Sequence, residues 1–237
     1  MIYTAEFAEV YEFIYHNRGK DWAAEAEALT RLIRERRPGA TSLLDVACGT
    51  GAHLATFAGC FDEVAGVELS EPMRTAALAR LPGVPVYPGD MRNFRLNRRF
   101  DAVTCMFNAI AYLGSVAELR QAVWSMGQHL EPGGVLVVEP WWFPERFLDG
   151  HLAVDSGTDG TRAVARMSHT TRTGRMSHLE VRFLVADAGG IRDFTQTSHL
   201  MLFTRDEYLG AFADAGCPAE YLDGGLTGRG LLVGQRG

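Results

Sequence analysis

Three acidic residues follow three successive apolar segments of the chain, and their order indicates a site for a small ligand. Asp45 lies in SLLDVACGTG, Glu68 in VAGVELS, and Asp90 in the Gly-Asp pair after residues 84–87. A carboxylate offers only acceptor oxygens, so Glu68 could receive both hydroxyls of a ribose diol and Asp90 the exocyclic amine of adenine. Each acid alone has an ordinary role as a helix cap, a solvated strand end or a turn former. The three together favour a nucleoside ligand.

The glycine-rich turn between the first two acids indicates which nucleoside. Gly49 and Gly51 allow a sharp turn and a close backbone approach to a ligand. A dinucleotide site needs a third glycine three residues later, where this chain reads AHL. Asp45 would repel a pyrophosphate, whereas it could help bind the amino-acid end and sulfonium of S-adenosylmethionine. That cofactor is therefore predicted, with Met91 and Met106 packing on the adenine ring.

Strands and helices alternate along the chain and predict an α/β fold. Helices are predicted over 4–15, 20–36, 53–60, 71–80, 115–130 and 204–215, and strands over 42–47, 63–68, 84–88, 100–107, 134–140, 218–223 and 229–235. We expect a doubly wound, seven-stranded, mostly parallel Rossmann-like sheet that ends in an antiparallel hairpin. A β-rich stretch within about 145–203 predicts an antiparallel β insertion, and residues 1–237 are expected to form a single domain.

The composition of the chain excludes several classes of partner and indicates a cellular compartment. The chain has 237 residues and a net charge of −6, and it shows no run of Lys and Arg interleaved with aromatics, so no nucleic-acid partner is expected. Its four cysteines lack metal or redox spacing, which predicts reduced thiols and no metal site. No leader and no bilayer-length apolar stretch is visible, so we expect a cytoplasmic protein without a membrane partner.

Six motifs, in chain order, resemble the sugar N,N-dimethyltransferases of macrolide antibiotic biosynthesis: GKDW, SLLDVACGTG, GDMR, FDAVTCMF, VVEPWWFPE and GRGLL. Enzymes of this family, which are class I S-adenosylmethionine-dependent methyltransferases, dimethylate the amine of a dTDP-linked deoxyaminosugar, such as the precursors of desosamine and mycaminose. The glycine turn alone is typical of the superfamily, and VEPWWFPE with the terminal GRG is more specific. The resemblance implies a homodimer and an N-terminal helical lid over about 1–37.

The resemblance also implies roles for individual residues. It implies donor contacts at Tyr11, Trp22, Ala47, Glu68, Asp90, Met91 and Met106. The predicted donor site also contains Asp45, Gly49, Gly51 and Leu69, which lie in or beside the strand-end motifs. Tyr3, Trp141 and Arg229 are predicted to line the nucleotide-sugar site, and Tyr3 and Tyr112 to act at the reacting centre. From residue type alone, the aromatic side chains could equally fill the core, and Arg229 could bind phosphate or remain a solvated hairpin arginine.

The predicted reaction is in-line attack of a neutral amine on the sulfonium methyl, driven mainly by proximity and orientation. Family members carry a histidine where this chain has Tyr112, and a phenol with an unshifted pKa of about 10 is a poor base at neutral pH. Two alternatives stay open at this stage: an O-methyltransferase acting on a related small metabolite, and a non-catalytic S-adenosylmethionine-binding regulator. The sequence also leaves open whether the amine is at C-3 or C-4.

Overall fold

A computed structural model describes residues 3–237, so the first two residues of the predicted lid lie outside the described part. The N-terminal half comprises α1 (Ala5–Asn17), α2 (Trp22–Arg36), β1 (Ser42–Val46), α3 (Ala52–Cys60), β2 (Glu63–Glu68), α4 (Glu71–Arg80), β3 (Val86–Pro88), β4 (Phe100–Cys105) and a short 3₁₀ helix (Ala109–Tyr112). The remainder comprises α5 (Val116–Gln128), β5 (Leu130–Val138), β6 (His151–Thr158), β7 (Ala163–Thr173), β8 (Met176–Asp187), β9 (Gly190–Met201), α6 (Arg205–Asp214), β10 (Ala219–Leu222) and β11 (Leu231–Gln235).

The main sheet has seven strands in the order β10-β11-β5-β4-β1-β2-β3. All neighbours run parallel except β11, which is antiparallel to both β5 and β10. Alternate residues of the central strands pack on opposite faces: Leu43 lies among residues of α2 and α3, whereas Leu44 lies among residues of α5 and α6. The predicted doubly wound sheet with its antiparallel terminal hairpin is therefore confirmed.

The strand order reverses at β1, since the chain continues to β2 and β3 on one side and to β4 and β5 on the other. In an open parallel sheet, such a reversal leaves a crevice at the carboxyl ends of the strands, where ligands bind. Asp45, Glu68 and Cys105 lie at these ends. The topology thus places the first two predicted site acids along one edge.

The predicted insertion forms a separate antiparallel sheet in the order β6-β7-β8-β9. Part of its inner face is apolar and packs against α1, where Val164, Val181 and Phe183 share a cluster with Phe7 and Ile14. Another part is polar and buried, and its side chains are Arg166, Ser168, Thr170, Gln196 and Ser198. The polar part faces a cavity described below.

The predicted strand 100–107 is two residues too long, because β4 ends at Cys105. Phe107 and Asn108 adopt left-handed backbone conformations, with φ of 52° and 54°, which no strand accommodates. The Phe107 N–H donates to the carboxylate of Glu139 at 2.7 Å instead of joining the sheet. The chain then enters the 3₁₀ helix, an element that the sequence analysis did not predict.

Candidate active site

The glycine-rich turn after β1 uses three left-handed residues to bring its backbone around a cavity. Ala47, Gly49 and Gly51 have φ of 58°, 59° and 75°. Ala47 pays a steric penalty that a glycine would not, and such strain persists where the surrounding structure holds it. A Cβ on Gly51 would lie 3.2 Å from the Cβ of Ala77, so this glycine also permits close packing of α3 on α4.

Glu68 ends β2 with its carboxylate directed at this turn. One carboxylate oxygen accepts the N–H of Gly49 at 2.8 Å, and the other accepts the N–H of Ser70 at 2.7 Å. The residue is 7% exposed, and burial raises the pKa of its carboxyl although the backbone bonds oppose that effect. An ionised carboxylate has about four acceptor positions, so two remain for ligand hydroxyls.

Asp45 is buried at the end of β1 and accepts the hydroxyl of Thr104 at 2.7 Å. Burial raises the pKa of Asp45 to about 6, with His53 and Thr104 acting in the opposite direction. The carboxylate is therefore ionised above that pH. A buried anion at this position suits the cationic end of a ligand.

These groups open onto one cavity, which contains most of the predicted donor contacts. The predicted residues that line it are Tyr11, Trp22, Asp45, Ala47, Gly49, Glu68, Leu69, Met91 and Met106. Gly51 and Asp90 are not among its lining residues. Asp90 accepts the backbone N–H of Arg92 at 2.9 Å, and its carboxylate pairs with that guanidinium, which keeps its pKa low. The structure therefore gives Asp90 a structural partner, and its proposed contact with adenine stays a prediction.

Two buried polar atoms on this cavity lack a hydrogen-bond partner within residues 3–237. They are the indole Nε1 of Trp22 and the hydroxyl of Thr50. An unpaired buried polar group costs about 1–3 kcal/mol, which a bound ligand can remove. Both atoms are donors, as the carboxylate of an S-adenosylmethionine amino-acid end requires, so the residues present fit that cofactor. Sequence analysis missed Thr50, although it lies inside the CGTG motif.

A second cavity of about 470 Å³ adjoins the first and contains Tyr3, Trp141 and Arg229, the residues predicted for the sugar site. Its volume lies within the range of small-molecule sites. Arg18, Lys20 and Arg166 also lie on its wall, and sequence analysis singled out none of them. Each of these three pairs with a carboxylate, Asp155 or Glu25, so the cavity combines aromatic surface with ion-paired basic side chains, a chemistry that suits a phosphorylated ligand.

Arg229 is buried in the second cavity and is not a solvated hairpin residue, since its side chain is only 12% exposed. Its guanidinium carbon lies 5.1 Å from the ring centre of Trp141 and 5.7 Å from that of Trp142. Its Nε is 3.8 Å from the Glu139 carboxylate and makes no hydrogen bond within the described chain. Burial lowers the pKa of Arg229. A diphosphate could take this unpaired donor in a charge-assisted bond.

The predicted reacting-centre residues contact each other. The hydroxyls of Tyr3 and Tyr112 are 2.5 Å apart, and that of Tyr112 is 3.1 Å from the Ser198 hydroxyl. Burial raises the pKa of both tyrosines above the ordinary value. Both phenols are therefore neutral near pH 7, and each can orient a partner by hydrogen bonding rather than act as a strong base.

An ionic network connects the two cavities, and it was not predicted. The Lys20 ammonium donates to Glu25 at 2.7 Å, and Glu25 accepts from or pairs with His53 Nε2 at 2.9 Å. Although burial would raise the pKa of Glu25, its bonds to His53 and Lys20 lower it. The network joins the α1–α2 turn to the first turn of α3. Lys20 lies in the GKDW motif, Glu25 follows five residues later, and His53 is 28 residues beyond Glu25.

Residues 3–237 lack two features that would change the chemistry of the site or its setting. No group of three or more His, Cys, Asp and Glu side chains is placed to hold a metal ion there. No helix in this part of the chain is long and apolar enough to cross a membrane.

Comparison with known proteins agrees with this geometry. A family model described as a methyltransferase domain matches residues 43–134. The chain is 52% identical to dTDP-3-amino-3,4,6-trideoxy-alpha-D-glucopyranose N,N-dimethyltransferase of Streptomyces venezuelae, over 98% of this chain and 99% of that one. It is 49% identical to dTDP-4-amino-2,3,4,6-tetradeoxy-D-glucose N,N-dimethyltransferase of Saccharopolyspora spinosa, over 99% and 94%.

A solved structure gives the same result in three dimensions. It is the S-adenosylmethionine-bound amino pentose methyltransferase of Micromonospora echinaspora involved in calicheamicin biosynthesis, with 55% identity, a TM-score of 0.90 and coverage of 96% and 97% of the two chains. Similarity of this extent across nearly full-length chains shows that these proteins belong to one family. The chain belongs to the family of S-adenosylmethionine-dependent dTDP-aminosugar N,N-dimethyltransferases.

Proposed function

We propose that this enzyme transfers two methyl groups, one after the other, to the amino nitrogen of a dTDP-linked deoxyaminosugar in antibiotic biosynthesis. The observation that carries the proposal is the junction of two chemically different cavities. One has buried carboxylates and unpaired donors that fit S-adenosylmethionine. The other has a largely buried arginine guanidinium among aromatic rings, and its Nε makes no hydrogen bond within the described chain, which fits a nucleotide diphosphate. The curated relatives act on dTDP-aminosugars with the amine at C-3 or C-4.

Positioning accounts for most of the proposed catalysis. S-adenosylmethionine supplies an electrophilic methyl group on its sulfonium. Glu68 holds the ribose diol with its two remaining acceptor positions, while Asp45 faces the cationic end. Arg229 binds the diphosphate, and the Trp141 ring supports the nucleotide or the sugar. Holding both reactants in line converts a bimolecular encounter into a unimolecular step, which can contribute roughly 7–11 kcal/mol.

The chain supplies no strong base at the reacting centre in this proposal. An amine attacks only as the neutral species, and it can lose its proton to water before the site closes. Tyr3 and Tyr112 then orient the amine or a neighbouring hydroxyl through their paired phenols. Their raised pKa values keep both phenols protonated at neutral pH, in agreement with this role.

The assembly and the compartment are further proposals. We infer a homodimer and a cytoplasmic enzyme, in one domain, with α1 and α2 as a lid that brings Tyr11 and Trp22 onto the donor cavity. The outer face of the insertion sheet supports the dimer, since Leu152, Val154 and Met167 are 70%, 69% and 62% exposed there. A monomeric mass in light scattering would contradict the homodimer. Four free cysteines agree with a reducing compartment.

The direct test supplies the enzyme with isotopically labelled donor and with dTDP-deoxysugars bearing an amine at C-3 or at C-4. We expect mass spectrometry to show a monomethyl product followed by a dimethyl product from at least one of them. Matched sugars with a hydroxyl in place of the amine should remain unmodified. Methylation of the hydroxyl sugars, or of none of the compounds, would contradict the proposal.

Arg229→Ala should raise the KM for the nucleotide sugar by about tenfold to a hundredfold and leave donor affinity unchanged. The lost charge-assisted bond is worth roughly 1.5–3 kcal/mol. Arg146→Ala is the matched control, because it removes an exposed arginine that pairs with Asp223 in the same region. Steady-state kinetics and calorimetry measure the two effects. Equal losses of donor and sugar binding would assign Arg229 a purely structural role.

Tyr112→Phe should lower kcat less than tenfold, because it keeps the ring and removes one hydrogen-bonding group. A positioned general base contributes about a hundredfold to ten-thousandfold. Burial raises the pKa of Tyr112, so its hydroxyl stays protonated as pH rises through neutrality. Above the pKa of Asp45, which is about 6, the substrate amine is the group whose titration limits the rate. The rate of both proteins should therefore rise with pH until that amine is neutral. A loss above a hundredfold, with a changed pH profile, would make Tyr112 a base.

A further inference from the structure

Among residues 3–237, the two cavities share four lining residues, and all four are aromatic: Tyr3, Tyr11, Phe107 and Tyr112. Their ring centres follow one another at 5.9 Å from Tyr112 to Tyr3, 6.4 Å from Tyr3 to Tyr11 and 6.3 Å from Tyr11 to Phe107. We call this set the aromatic passage. Any group transferred from the donor cavity to the other cavity must cross it.

Carboxylates flank the passage without lining it. Asp45 and Glu68 lie on the donor cavity alone, and Glu25 lies on the second cavity alone. Burial keeps the phenols of the passage protonated, because it raises the pKa of Tyr3, Tyr11 and Tyr112. Within residues 3–237, the walls common to both cavities are therefore neutral π systems and phenol hydroxyls.

The backbone at Phe107 is strained in the conformation that places its ring in the passage. Its φ of 52° is followed by 54° at Asn108, and left-handed conformations of non-glycine residues cost of order 1–3 kcal/mol each. The buried Glu139 fixes this geometry by accepting the Phe107 N–H. The ring already faces a cation, since the Lys20 ammonium lies 4.1 Å from its centre.

We propose that the aromatic passage is a cation-binding site that holds the sulfonium of the donor before transfer and the methylated ammonium of the product after it. This inference rests on the proposed function. Ring faces attract cations through their quadrupole, most strongly where water is excluded. Alkylated cations with few or no N–H groups suit this attraction, because they cannot use hydrogen-bond acceptors well.

The chemistry explains why π faces serve better here than a carboxylate. The nitrogen lone pair forms the N–C bond while the C–S bond breaks, and the electron pair of that bond stays on sulfur. The positive charge thus passes from sulfur to nitrogen, and the new ammonium releases a proton to water before the second transfer. A carboxylate beside the amine would raise the amine's pKa and keep it protonated, which blocks attack. Aromatic faces stabilise the charge at both ends more weakly than a carboxylate does, so they raise the amine's pKa less.

The test compares two ligands of nearly equal shape, cationic S-adenosylmethionine and neutral S-adenosylhomocysteine, by calorimetry. Tyr11→Leu and Phe107→Leu should each weaken S-adenosylmethionine binding by about threefold to thirtyfold relative to S-adenosylhomocysteine binding. Tyr11→Phe is the matched control, because it keeps the ring and removes only the hydroxyl. It should leave the affinity ratio, that for S-adenosylmethionine divided by that for S-adenosylhomocysteine, near the wild-type value.

Fluorinated phenylalanines at position 107 provide a second measurement that preserves side-chain size and fold. Successive fluorine atoms weaken the negative face of the ring, so the affinity ratio should fall stepwise with fluorination. Equal weakening of both ligands in the leucine variants, or a ratio insensitive to fluorination, would overturn the proposal and leave the rings as packing. Methyl transfer to the aminosugar in those same proteins would show that the proposed function stands independently.

Discussion

The whole donor site depends on one buried carboxylate that joins two turns. Glu68 accepts the N–H of Gly49 in the glycine-rich turn and the N–H of Ser70 before α4. Parallel strands β1 and β2 end side by side, which brings both turns within reach of this one carboxylate. Burial strengthens both bonds in a low-dielectric setting and makes an unpaired acceptor there costly. The same arrangement leaves acceptor positions directed at the cavity.

The second cavity depends on a different constraint, the path of the chain after β4. Glu139 lies directly after the end of β5. Its carboxylate accepts the Phe107 N–H and lies near the Arg229 guanidinium. This one acid therefore fixes Phe107 of the aromatic passage and places a negative charge 3.8 Å from the Arg229 Nε. The donor and acceptor halves of the site meet because β4 and β5 are neighbours in the sheet. Alignment of the reactants is in this sense a property of the sheet's topology.

Sequence reasoning predicted those features that arise from local or periodic patterns. The alternation of strands and helices gave the sheet, and the positions of Asp45 and Glu68 at strand ends followed from it. The left-handed turn at Phe107 was not predicted, because it is imposed by Glu139, a residue 32 positions away. In the Lys20 network, His53 lies 28 positions from Glu25, and no motif indicated that contact. For Asp90 the missing information was local. The GDMR motif did not show that the Arg92 guanidinium pairs with the Asp90 carboxylate.

Donor binding by Glu68→Gln tests the central claim most directly. Glutamine keeps the size of the side chain but places an NH₂ group where the carboxylate oxygens accept hydrogen bonds. We expect isothermal titration to show S-adenosylmethionine affinity about tenfold to a hundredfold below wild type, from the loss of roughly 1.5–3 kcal/mol. Glu63→Gln, at the exposed start of the same strand, should bind like wild type. Wild-type affinity in a folded Glu68→Gln protein would contradict the account.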